Sequence, residues 1–159
     1  MYGEKQFYKT LYPNDRDLKY VGKYVDDSFN LLTVLTNTAD PPGCSSCTVG
    51  LGWTGTACDT GSQSFYRSSV AGRFRPTSTV LEHAETAVHE MGHNLGMGHD
   101  FNKDESTRYY KYSACNSKGV MSYGEKASAW SQCSKNDFKA YYNVVRSYMK
   151  QEWCITLVW

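Results

Sequence analysis

The sequence predicts an α/β fold, or α+β by stricter labels. Three observations carry that reading. Apolar residues recur at helical spacing in three stretches, a strand-like stretch lies in a loop-rich region between them, and 159 residues suit one domain over 1–159. A chain of this size buries about 68–70% of its unfolded surface, enough for a core. With 40% hydrophobic and 21% charged residues, the composition excludes a disordered chain.

The elements follow in chain order. Asn14 and Asp15 can cap a helix that starts near Arg16. Leu18, Val21, Val25, Phe29 and Leu32 then form one apolar face, and the helix is expected to end before Asp40 because Pro41, Pro42 and Gly43 break it. Gly, Ser, Thr and Cys dominate from Cys44 to Gly61, with a short strand expected over Thr48 to Thr54. Gly72 to Pro76 reads as a connector. A second helix begins near Thr79, places Leu81, Ala84, Val88 and Met91 on one side, and ends at Gly96 and Gly98. Residues 100 to 133 read largely as loop. A last helix is expected from Ser134, with Asp137 three residues on as a capping-box-like pair. Phe138, Tyr141, Tyr142, Val145 and Met149 make its buried face, and Cys154 follows it.

Charge and cysteine usage narrow the setting. Seventeen basic and 16 acidic residues leave a net charge of +1, which excludes an electrostatic footprint for nucleic acid or an anionic membrane. No stretch approaches the ~20 apolar residues of a membrane span. The start, MYGEKQFYKT, has no apolar segment of a signal peptide, so a secreted form would need a leader beyond this sequence. Six cysteines, Cys44, Cys47, Cys58, Cys115, Cys133 and Cys154, suit a disulfide framework and an extracellular setting. A cytosolic chain with a metal or redox site at Cys44 and Cys47 is the alternative.

One segment carries chemistry: His89-Glu90-Met91-Gly92-His93-Asn94-Leu95-Gly96-Met97-Gly98-His99-Asp100. Residues four apart share a helical face, so His89 and His93 can aim at one point. Gly96 lets the chain leave the helix with positive φ, and the turn can return His99 as a third ligand. Three imidazoles leave a fourth tetrahedral position on Zn2+ for water, the mark of a catalytic site. Glu90 flanks the metal and can act as general base toward a zinc-activated water. The expected reaction is metal-assisted hydrolysis of an acyl bond. His83 lies on a different helical face and reads as a surface or supporting histidine.

The spacing HExxHxxGxxH followed by Asp100 resembles the metzincin zinc proteases, and within them the reprolysin (adamalysin) branch. Gly119-Val120-Met121-Ser122-Tyr123 is similar to that group's Met-turn. Asn30 to Thr33, Gly52 to Cys58, and Trp130-Ser131-Gln132-Cys133-Ser134 also look like family segments. The resemblance implies a small twisted mixed sheet, an active-site helix, the Met-turn and a C-terminal helix. It implies that Met121 floors the three histidines without binding metal, with Gly96 and Asp100 as signature residues. It implies disulfides Cys58–Cys154 and Cys115–Cys133, which leaves Cys44–Cys47; a zinc knuckle at the last pair is the rival. Residues 1–27 match poorly, so the N-terminal part reads as reduced. The implied function is a secreted, monomeric zinc endopeptidase acting on proteins or peptides. The alternative is a non-catalytic binding protein on the same scaffold. Calcium is common in the family, but no ligand cluster for it stands out.

Overall fold

The computed structural model describes residues 31–39, 49–59, 66–73, 77, 79–100, 105–106, 111–112, 115, 118–123 and 127–149. Their elements are β1 (Leu32–Ala39), β2 (Gly50–Gly52), β3 (Ser68–Arg73), α1 (Val80–Asn94), β4 (Glu105–Ser106), β5 (Lys111–Tyr112) and α2 (Gln132–Met149). A three-stranded mixed sheet in the order β1-β3-β2 packs against α1. β1 runs parallel to β3, with Leu32 opposite Ser68 and Val34 opposite Val70. β2 is antiparallel on the other side, with Leu51 opposite Val70. β4 and β5 form a separate two-stranded ladder.

β3 is the centre of the sheet, and Ser68, Ser69, Val70 and Ala71 are all fully buried on it. A strand covered on both faces cannot alternate apolar and polar residues, so its hydroxyls need partners. Ser69 shares a 2.8 Å hydrogen bond with Thr33 of β1. The strand was not visible in the sequence, where SSVAGR lacks both a period and a long apolar run.

β1 corrects the first helix. The apolar spacing through Leu32 predicts helix up to Asp40, yet Leu32–Ala39 is a strand. Its sequence, LTVLTNTA, holds one Val and three Thr, whose branched Cβ favours extended backbone. The parallel ladder to β3 then pairs one edge of the strand. The remainder of the expected helix, with Asn14 and Asp15, lies outside the described residues.

α1 begins where a capping box holds it. The Thr79 hydroxyl accepts from the Glu82 N–H at 3.2 Å, and Glu82 Oε2 accepts from the Thr79 N–H at 2.8 Å. It ends in a Schellman turn: Gly96 N–H donates to His93 O at 2.8 Å and Met97 N–H to Gly92 O at 2.9 Å. Gly96 has φ 85°, the left-handed conformation that glycine adopts freely. The stripe of Leu81, Ala84, Val88 and Met91 lies on one side as expected, but that side is exposed, Leu81 by 69%. The buried side carries Ala87, His89, Glu90, Gly92 and Asn94.

Asn94 bolts the end of α1 to its surroundings. Its side-chain NH2 donates to Trp53 O at 3.0 Å, Ser68 O at 3.1 Å and Thr56 Oγ1 at 3.3 Å. The 55–57 backbone returns the favour: Gly55 N–H donates to His93 O, and those of Thr56 and Ala57 to Asn94 O. These bonds tie the last helical turn to the 55–57 backbone and give the Asn94 carbonyl its donors.

α2 starts two residues earlier than expected, at Gln132. Ser131 caps it, its hydroxyl accepting from Ser134 N–H at 2.9 Å. Asp137 therefore does no capping. Tyr141 and Val145 are buried and Phe138 and Tyr142 half-buried, as the periodicity predicts. A disulfide joins Cys133, in the first turn, to Cys115. Cys58 is also disulfide-bonded; its partner, like Cys44, Cys47 and Cys154, lies outside the described residues. Among the described residues no helix is long and apolar enough to cross a membrane.

Asn94→Ala would remove three hydrogen bonds from a buried setting, at about 0.5–1.5 kcal/mol each, whereas Thr79→Ala removes an exposed cap worth about 1 kcal/mol. Urea unfolding should therefore show a clearly larger loss for Asn94→Ala than for Thr79→Ala.

Candidate metal centre

His89 and His93 are one turn apart on the buried side of α1. The Schellman turn reverses the chain after Asn94, and His99 comes back toward them. One donor atom from each of the three histidines lies within 4.8 Å of the other two. The His93 and His99 Nε2 atoms are 3.0 Å apart. The His93 ring stands nearly perpendicular to both others, at 86° to His89 and 83° to His99.

Two backbone carbonyls aim the rings. His89 Nδ1 is 2.8 Å from Val120 O, and His93 Nδ1 is 2.9 Å from Met97 O. A carbonyl oxygen only accepts, so both Nδ1 atoms carry protons and both Nε2 atoms are bare. Burial pushes the His93 imidazole down to about 3, helped by repulsion from His89 and His99, and lowers His89 as well. Neutral imidazoles with converging lone pairs are the form that binds a metal ion. The donor set thus fits a cation, and a cation between the rings removes the repulsion of lone pairs held this close.

Glu90 is buried beside His89. Burial pushes its carboxyl up to about 8; a cation at the histidines would act in the opposite direction. β2 lies directly over it. A methyl group at Gly50 would fall on the Glu90 carboxyl, and one at Gly52 would sit 2.5 Å from the Glu90 backbone oxygen. The two glycines therefore let the strand back onto the glutamate. Neither close approach was predicted from sequence, although Gly52 opens a family-like segment; the G-x-G inside a strand was the available signal.

The turn at 119–123 closes the site from below. Met121 is fully buried, and a methyl at Gly92 would lie 2.5 Å from its sulfur. Gly92 sits between the two helical histidines in sequence, so the sulfur packs against the helix backbone there. Met121 O accepts from Asp100 N–H at 3.1 Å. The Asp100 carboxylate accepts from Ser131 at 2.7 Å, Ser134 at 3.2 Å and Ser122 at 3.3 Å. It ties the residue after His99 to both the turn and the start of α2. His83, half-buried, has Nε2 3.2 Å from Ala71 O and stands apart from the other three.

Two residues make contacts near the histidines that the sequence does not predict. Tyr123 is 64% exposed and its hydroxyl is 3.0 Å from His99 Nε2. Asp137, buried on α2, accepts from Gly98 N–H at 3.1 Å. No local pattern could reveal either contact, because each depends on distant segments meeting.

The Reprolysin_5 model of metallo-peptidase family M12 matches residues 22–150. The snake venom metalloproteinase trimerelysin-2 of Protobothrops flavoviridis is 43% identical over 58 residues. That stretch is 36% of this chain and 26% of the relative, so the chain spans only a part of that protein's length. The three converging histidines, the mixed sheet and the two helices agree with the α/β fold expected of a metzincin, and the match over residues 22–150 establishes that this chain belongs to metallo-peptidase family M12.

Proposed function

We propose that this chain is a secreted zinc endopeptidase, with residues 1–159 forming one catalytic domain. The observation that carries the reading is the convergence of the His89, His93 and His99 donors beside the buried Glu90. Three imidazoles suit zinc, and a three-ligand protein site leaves room for water or substrate. When bound, zinc lowers the pKa of a water molecule and polarises the scissile carbonyl. Glu90 takes a proton from the attacking water and passes it to the departing amine. Gly50 and Gly52 let β2 close over that glutamate, where a side chain at either position would displace it. The Cys115–Cys133 disulfide and the bonded Cys58 support an oxidising, extracellular compartment. Peptide chains are the expected substrates, since the family is one of metallopeptidases.

Three outcomes follow. Treatment with 1,10-phenanthroline should abolish casein cleavage and added zinc should restore it; a zinc-loaded chain that cleaves no protein would instead be a binding protein on this scaffold. Glu90→Ala should keep zinc, by elemental analysis, while kcat/KM on a peptide substrate falls about 10²–10⁴-fold. Undiminished cleavage by that variant would refute the assigned role. Gly50→Ala should also keep zinc but lose about 10²-fold in kcat/KM, because its methyl displaces the glutamate.

A further inference from the structure

His89 and His93 stand on one rigid helix, so their separation is set by helical geometry. His99 stands on a loop, and its place is set by what holds that loop. Its two neighbours in sequence are both held from outside. Asp100 N–H donates to Met121 O at 3.1 Å. Gly98 N–H donates to Asp137 Oδ2 at 3.1 Å, across a sequence separation of 39. Gly98 and Asp137 are both buried, so this N–H needs an acceptor and water is a poor candidate to supply it. A carboxylate makes such a bond about twice as strong as a neutral acceptor does.

Asp137 is itself well placed to act as a fixed post. It lies early in α2, whose first turn is capped by Ser131 and joined through Ser134 to Asp100. The Cys115–Cys133 disulfide anchors the same turn. The post is therefore tied to the segments that surround it.

We propose that Asp137 is a positioning residue for the third metal ligand: its carboxylate holds the Gly98 N–H and so sets where His99 meets His89 and His93. The proposal rests on the reading that these three histidines hold the ion. Without the carboxylate, the Gly98 N–H is left buried and unpaired, and the loop shifts to find another partner. The two helical ligands keep their geometry and the third loosens.

The test compares the parent 159-residue chain with Asp137→Ala, Asp137→Asn and Val145→Ala. Chelator competition reads zinc affinity, the visible spectrum of the Co2+-substituted protein reads coordination geometry, and thermal melting without metal reads the fold. Asp137→Ala should weaken zinc binding about 10–100-fold and alter the Co2+ spectrum. Asp137→Asn, with a neutral acceptor, should weaken it less, by about threefold. Val145→Ala removes buried apolar atoms from the same helix, so it should lower Tm yet bind zinc as the parent does. Parental zinc affinity in Asp137→Ala overturns the proposal. So does an equal loss of affinity in Val145→Ala at matched Tm. If Asp137→Ala does not fold, Asp137→Asn decides, and parental affinity there overturns it. A parent chain that binds no zinc defeats the three-histidine reading first, and the two failures are thereby distinguished.

Discussion

The left-handed backbone at Gly96 is the constraint on which the rest of this structure depends. A straight helix can present His89 and His93 to one point, but it carries any later residue away from that point. The chain must turn back within two residues of Asn94, and the Schellman turn does so while satisfying the carbonyls of Gly92 and His93. The same turn supplies Met97 O, which accepts from His93 Nδ1. One reversal thus orients the second histidine and delivers the third. An L side chain at Gly96 would oppose it by about 1–2 kcal/mol.

Around that turn the interior is unusually polar. Asn94, Ser68, Ser69 and Ser134 rank with Tyr141, Met121 and Val70 among the fully buried side chains. Apolar packing alone tolerates small slides and rotations, whereas hydrogen bonds in a dry interior fix direction as well as distance. Asn94 fixes the end of α1 against β3 and the 53–57 loop. Asp100 fixes the chain after His99 against three serines from two segments. Such networks are costly when incomplete, so their presence next to the histidines matches a need for placement more than for raw stability.

The electrostatics of the site run the same way. Burial disfavours charge on His89, His93 and Glu90 alike. The imidazoles are thereby kept neutral with their lone pairs free. The carboxyl is left in a place where only a nearby positive charge makes ionisation easy. Neutral imidazoles at His89 and His93 beside a buried acid make an environment that suits a positive charge.

Much of this was legible in the sequence because the signals are local. The spacing of His89 and His93 is a property of any helix, Gly96 marks its own turn, and Trp130 to Ser134 opens a helix with clear apolar periodicity. The Leu81 to Met91 stripe shows the limit of such reasoning: periodicity located one side of α1 but not the neighbour that would cover it. Strand β3 was hidden because its serines are buried, with the Ser69 hydroxyl bonded to Thr33 and the Ser68 carbonyl to Asn94, and Leu32–Ala39 read as helix because its strand character rests on pairing with β3. Gly50 and Gly52 against Glu90, Asp100 among its serines, and Asp137 on Gly98 each join residues far apart in the chain. The sequence by itself therefore determined which residues the proposed chemistry draws on, since helical spacing and glycine conformation are local. Only the tertiary structure decided what holds them in place, since a hydrogen bond between distant segments exists only once the chain has folded.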